Sequence, residues 1–209
     1  MPPTPAYVLL GLLAVRSWTG YELSQQVSRS LSHVWPASAA HVYREQQRLV
    51  RLGWATVTAE AAGPERTRNR YTITRAGRRA LREWLDTEPA PTSLESEGML
   101  RAWFADSGTT AQLVAALEKT ATDARASVDR VVEVFSVSLA GQGAFESRAH
   151  LNAIVGEFVA DVFALVADRC AQLAEEVGRW PDTTAPGFDE VARARMNRVV
   201  EEHVRCAHR

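Results

Sequence analysis

The hydrophobic positions change period along the chain, and each change predicts a different element. Residues 6–15, "AYVLLGLLAV", are almost continuously apolar, which predicts a short buried first helix over roughly 5–15. Thr19 with Glu22 three residues on forms a capping box and starts a second helix. That helix runs to about Leu31, with Leu23, Val27 and Leu31 as its buried stripe. "VWPAS" then breaks the chain, and Ser38 is placed to cap a third helix ending near Gly53. After Gly53 the period becomes alternating. Residues 54–60 and 67–74 are rich in Thr, Val, Tyr and Ile, with "AAGPER" between them, which predicts a β-hairpin. Thr74 caps a fourth helix, "RAGRRALREWL", whose Ala80, Leu81, Trp84 and Leu85 form one apolar patch.

"DTEPAPTS" (86–93) has two prolines and little apolar content, the signature of a linker. Beyond it the pattern is helical. Leu113, Leu117, Ala121, Ala124, Val128, Val131, Phe135 and Leu139 keep helical spacing. So do Leu151, Val155, Phe158, Val162, Val166, Leu173 and Val177. "GQGAF" separates the two runs, which predicts an antiparallel pair of long helices. A last helix is expected over about 188–205. The division is therefore residues 1–86 as a compact domain, 87–93 as linker and 94–209 as a helical domain. The fold class is mainly α with a small β-hairpin.

Composition adds bounds. Apolar residues are 46% of the 209, enough for a core. Two cysteines, Cys170 and Cys206, cannot build a disulfide framework, which fits a reducing, cytoplasmic setting. The apolar 6–15 segment has the length of a signal-peptide core. No positive residue precedes it and no convincing cleavage site follows, and it is too short to span a bilayer. It reads as a buried helix, and no membrane association is expected.

The net charge of -1 conceals a split. Residues 1–86 hold 12 Arg against six acids, a net of +6, and residues 87–209 hold 12 Lys and Arg against 19 acids, a net of -7. A basic first half joined to an acidic second half suggests that the first part meets a polyanion.

Helix, helix, helix, hairpin, helix is the order of a winged helix-turn-helix, in which the third helix enters the DNA major groove and the wing lies against the backbone. On a helical wheel Val42, Gln46, Leu49 and Gly53 share the core side of the third helix. Ala40, Arg44, Gln47 and Arg51 fall opposite, with His41, Tyr43 and Arg48 on the flanks. These residue types reach base edges and phosphates. Small Ala39 and Ala40 would let the helix start approach DNA closely, and Ser38, which caps it, is counted with Ala39 among the candidate DNA-binding residues. Three arginines on an exposed helix can equally be a solvated face. The wing tips the balance, because Arg66, Arg68 and Arg70 alternate along one strand, with Tyr71 and Ile73 facing alternately to them.

"YVLLGLLAVRSWTGYELSQQV", "HVYREQQRLVRLGW" and "NRYTITRAGRRALREWL" resemble the PadR family of transcriptional regulators. The resemblance rests on Gly11 among its leucines, Gly20-Tyr21-Glu22-Leu23, Tyr43, Leu49, Gly53 and Tyr71-Thr72-Ile73-Thr74 with Gly77. It covers residues 5–85 closely, and the helical half more loosely through "EGMLRAWF". It implies a homodimer on a palindromic double-stranded DNA operator, usually repressing, and often released by a small molecule. Tyr43 and Arg44 match positions where the family's third helix meets DNA. Gln46 departs from the pattern, which usually has leucine there. By the wheel it is either buried and bonded or reaches the DNA at the helix edge.

Two long amphipathic helices need a second pair to close a core, which a dimer supplies with two-fold symmetry. The alternative is an intramolecular bundle closed by the last helix. Trp84, Met99, Trp103 and Phe104 are concentrated around the linker and form a candidate effector site for a flat aromatic ligand, although aromatics at this spacing also serve as core. His203, Cys206 and His208 near the end of the sequence make a weak zinc signal, and no cofactor is expected. No catalytic motif is present, so the chain is not expected to be an enzyme. The rival reading is a protein-interaction module whose winged helix no longer binds DNA.

Overall fold

The computed structural model describes residues 4–31, 38–61, 67–143, 145–184 and 189–206, with the backbone alone at residue 30 and over 203–206. They divide into two compact units, Met1–Ser93 and Leu94–Arg209. The fold is mainly helical with a small antiparallel sheet.

The first unit runs α1 (Thr4–Val15), β1 (Trp18–Thr19), α2 (Gly20–Ser30), α3 (Ala39–Arg51), β2 (Ala55–Ala61), β3 (Thr67–Ile73) and α4 (Arg75–Leu85). α1 is buried nearly all round, with Ala6, Leu9 and Leu10 fully covered and Tyr7 and Leu13 nearly so. That is why its sequence shows no polar stripe. The capping box at α2 is complete: the Glu22 amide donates to Thr19 Oγ1 at 3.2 Å, and the Thr19 amide donates to Glu22 Oε2 at 2.7 Å. The bond from the Thr19 amide holds the Glu22 carboxyl below its ordinary value, against a smaller upward push from burial.

The predicted hairpin forms, paired from Ala55↔Ile73 to Ala61↔Thr67. The turn "AAGPER" lies largely outside the described residues. The sheet also has a third strand. β1 pairs with β3 at Trp18↔Tyr71 and Thr19↔Arg70, giving the order β1-β3-β2. Trp18 anchors it: the indole N–H donates to the Leu12 carbonyl at 2.8 Å, and the Arg16 guanidinium sits 3.7 Å over the ring centroid.

Two glycines are required where the hairpin joins its helices. Gly53 turns the chain out of α3 with φ of +68°, a left-handed conformation that side chains disfavour. A Cβ at Gly77 would lie 2.2 Å from the Trp54 carbonyl oxygen. Thr74 caps α4 by accepting from the Gly77 amide at 3.0 Å and donates its own hydroxyl to the Gly53 carbonyl at 2.7 Å. α4 places Trp84 flat against Tyr7, with ring centroids 5.1 Å apart and planes at 6°, while Trp54 tilts against the same tyrosine at 5.7 Å.

The second unit contains α5 (Glu97–Trp103), α6 (Thr110–Leu139), α7 (Ala149–Val177) and α8 (Glu190–Cys206), with short 3₁₀ turns after α5 and before α7. α6 opens on a second capping box, Thr109 with Gln112. α6 and α7 are antiparallel. Leu113, Leu117 and Ala121 near the start of α6 cluster with Cys170, Ala174 and Val177 near the end of α7. At the other end Gly156 of α7 leaves room for the Phe135 ring of α6, which would lie 2.3 Å from a Cβ there. Burial raises the Cys170 thiol above its ordinary value.

The expected buried stripe continues only partway along α6. Leu113 to Ala124 are covered, whereas Leu139 is 89% exposed. α7 exposes Ile154, Phe158 and Leu165, and α8 exposes Val191, Met196 and Val200. An Arg195–Glu176 ion pair links α8 to α7. The segment Glu146–Val177 is long and apolar enough, at a mean hydropathy of 1.5 in its best window, to cross a membrane. One face of its second half is buried instead against α6.

Candidate nucleic-acid interface

α3 is held by its inner face and presents its outer one. Ser38 Oγ accepts from the His41 amide at 3.2 Å and fixes the first turn. Val42, Gln46 and Leu49 are fully buried. Outward, Ser38, Ala39, Tyr43, Arg44, Gln47 and Arg51 are exposed, with His41 and Arg48 half-buried beside them. All eight sequence-predicted residues of this helix therefore lie on its open side or its flanks. No carboxylate among the described residues pairs with Arg44 or Arg51.

Glu45 is the residue that sequence reasoning missed. It sits about 60° from Val42 on the wheel, yet it is only 6% exposed. Its carboxylate accepts from Arg48 Nη1 at 3.0 and 3.4 Å and lies 3.9 Å from His41 Nε2. Pro5 of α1 lines the same shallow concavity as His41, Arg44, Glu45, Gln47, Arg48 and Arg51. One turn of helix thus carries an acid among its bases, and the acid is committed to one of them.

Gln46 takes the buried option. Its Nε2 donates to the Gly20 carbonyl at 2.9 Å, joining the start of α2 to the middle of α3. Its Oε1 is buried without a hydrogen-bond partner among the described residues. Gly20 permits this approach, because a Cβ there would lie 2.7 Å from Gln46 Oε1, with the Tyr43 and Tyr71 rings at 3.3 and 3.4 Å. Reversing the amide would set two oxygens against each other, so the orientation is fixed by Gly20. Tyr71 is buried at this junction, which raises its phenol above the ordinary value, and the nearby Tyr43 adds to the shift.

The wing separates its arginines. Arg66 lies outside the described residues. Arg68 is exposed, with Nε 3.5 Å from Glu60 Oε2 on the neighbouring strand. Arg70 is the departure from the expected basic stripe. Its Nε donates to Glu60 Oε1 at 2.5 Å, its Nη1 donates to the Ser17 carbonyl at 3.3 Å, and Glu22 Oε2 lies 3.9 Å away. The Glu60 bond holds its guanidinium above the ordinary value, with Glu22 adding to it. Glu60, the Ser17 carbonyl and the nearby Glu22 engage Nε and Nη1, part of the fork that a phosphate would need. Arg70 braces the wing to the start of α2.

The candidate effector residues fall in different units. Trp84 is part of the first unit's aromatic stack on Tyr7. Met99 packs against the α6–α7 core, and Trp103 and Phe104 are 82% and 64% exposed. The candidate zinc ligands His203, Cys206 and His208 lie outside the described side chains.

Residues 9–83 match the transcriptional regulator PadR-like family. The negative transcriptional regulator PadR of Bacillus subtilis (strain 168) is 30% identical over 99 residues, which is 47% of this chain and 54% of that protein. The chain thus spans about half the length of the curated relative that it matches. The crystal structure of Bacillus subtilis PadR in complex with operator DNA superposes with a TM-score of 0.68 at 20% identity, over 84% of this chain and 99% of that one. The same protein in complex with p-coumaric acid gives 0.62 at 21% identity, over 85% and 100%. The structural likeness extends through both units and concerns the fold.

Proposed function

From the premise that residues 9–83 form a PadR-like transcriptional regulator domain, we propose that this chain is a homodimeric, DNA-binding transcriptional repressor acting in the cytoplasm. Its work is binding rather than catalysis. The single observation that carries the reading is the outer face of α3, where Tyr43, Arg44, Gln47 and Arg51 stand exposed on a helix whose other side is buried. Arg44 and Gln47 lie on a face that fits a major groove, with bidentate donors for guanine and adenine edges. Ser38, Ala39, His41 and Tyr43 meet the backbone near the helix start and Arg51 the far side, while Arg48, on the flank, anchors the helix in the groove. Arg68 and Arg66 hold the flanking phosphates from the wing, while Arg70 keeps the wing in place.

The exposed apolar residues of α7 and α8 are the surface that a second copy covers, since isolated faces of this size are costly in water. Two-fold symmetry then sets two recognition helices on a palindrome, with half-sites about 34 Å or a multiple of it apart. Trp103 and Phe104 supply the free aromatic surface for a flat ligand, with Met99 beside them on the helix that ends at Trp103, while Trp84 stays in the first unit's stack on Tyr7. A ligand that favours one spacing of the recognition helices releases the operator by population shift. That Bacillus subtilis PadR is solved in complex with operator DNA and with p-coumaric acid supports reading this chain as a DNA-binding protein that responds to an aromatic ligand.

Footprinting on the DNA upstream of the gene, repeated with a panel of aromatic acids and phenols, tests the whole reading. Protection of a palindrome that one compound abolishes is the expected result. A protein that shifts no DNA but retains partner proteins would favour the interaction-module reading.

A further inference from the structure

Glu45 is an anomaly in a surface proposed to meet a polyanion. A carboxylate there is repelled by phosphates, and this one is 93% shielded from solvent, with a side-chain exposure of 7%, so water screens it poorly. It also pairs with Arg48 on the same helix, whereas Arg44 and Arg51 beside it have no carboxylate partner among the described residues. The pair engages one terminal nitrogen of Arg48, whose side chain is 41% exposed, and a guanidinium carries five N–H groups in a rigid fork, so its other donors are not spent on Glu45.

Two consequences follow for binding. DNA of any sequence attracts cations through counterion release, at about 0.9 log units of salt slope per phosphate neutralised. An Arg48 already neutralised by Glu45 contributes little to that sequence-independent attraction. Its remaining N–H donors are nonetheless held in one geometry, so they are available to a partner that fits. Glu45 therefore subtracts from non-operator binding more than from operator binding.

Resting on the DNA-binding reading above, we infer that Glu45 is a specificity-determining positioning residue, which fixes and neutralises Arg48 so that the helix discriminates operator from arbitrary DNA. The test uses the full-length chain, a labelled duplex from the upstream region that it protects, and a scrambled duplex of equal length and composition. Glu45→Gln keeps the shape and removes the charge. It is expected to tighten non-operator binding by about eight-fold at 0.1 M salt, and to steepen that salt slope by about 0.9. Operator affinity should change less, so the ratio between the two falls. A merely structural role would weaken both duplexes together. Equal change on both, or an unchanged non-operator slope, overturns the inference. Should Glu45→Gln fail to fold, a second comparison decides. The Glu45→Gln, Arg48→Gln double variant, which removes both charges of the pair, should leave the non-operator slope near that of the parent, while Arg44→Met lowers it by about 0.9. Equal losses from the two would also overturn it. Failure of the parent protein to distinguish the two duplexes would instead count against the DNA-binding proposal itself.

Discussion

Replacing Gln46 with leucine should stabilise the first unit, although it deletes a hydrogen bond. Gln46 is 1% exposed, donates once to the Gly20 carbonyl at 2.9 Å and leaves Oε1 buried without a partner. A net hydrogen bond contributes about 1 kcal/mol, whereas a buried unsatisfied polar atom costs about 1–3 kcal/mol. Gly20 opens α2, so its carbonyl keeps the helical bond from four residues on and is not orphaned by the change. The difference favours leucine by about 1 kcal/mol, before any gain from added apolar burial. The opposing effect is steric, because the amide end of Gln46 lies against Gly20 and the Tyr43 and Tyr71 rings. A branched leucine fills that space differently, and overpacking costs about 1–3 kcal/mol. Gln46→Met, unbranched and of similar length, separates the two. Urea unfolding followed by circular dichroism measures both variants. Stabilisation by methionine of about 1 kcal/mol, with leucine at or above the parent, is expected. Loss of more than about 1 kcal/mol in both would refute the reasoning, since it would mean that Oε1 belongs to a satisfied network.

The wing divides into a contact and a brace. Arg68→Ala should lower the salt slope of DNA binding by about 0.9, and Arg70→Ala should lower the melting temperature while leaving more of that slope intact. Gln47→Ala should relax preference at one base pair by about 1–3 kcal/mol, read from affinities for a set of operators substituted one pair at a time. Stability should also depend on Glu22 in acid. Its folded pKa is held below the ordinary carboxylate value by the Thr19 amide, so its contribution is present above the ordinary value and is lost as pH falls through the folded one. Glu22→Gln should flatten the acid limb of a thermal-stability profile, and an unchanged limb would place the loss elsewhere.

What the sequence made legible is mostly local. The caps at Thr19, Ser38 and Thr74 each depend on a residue three positions on, so they can be read from spacing alone. The outer face of α3 also follows from the wheel, because one stripe of Val42, Gln46 and Leu49 orients the rest. The misses are all non-local. β1 is two residues long and exists only through its pairing with Tyr71 and Arg70, so it has no period to detect. Alternation along β3 placed Arg68 and Arg70 together, but the carboxylate that engages both comes from Glu60 on the opposite strand. Glu45 is polar by type and lies at the edge of the core stripe. Its burial at the concavity that Pro5 also lines depends on how α1 meets α3. The stripe of α6 ran to Leu139 in sequence, whereas one chain covers only part of it.

The central claim is that the exposed face of α3 reads a symmetric DNA site. Hydroxyl-radical footprinting on the upstream DNA tests it most directly, comparing the parent with an Arg44→Ala, Gln47→Ala double variant. The account predicts two protected half-sites about 34 Å or a multiple of it apart, lost in the variant at a protein concentration where its fold is intact. Protection that is absent, unsymmetric, or unchanged in the variant would contradict it.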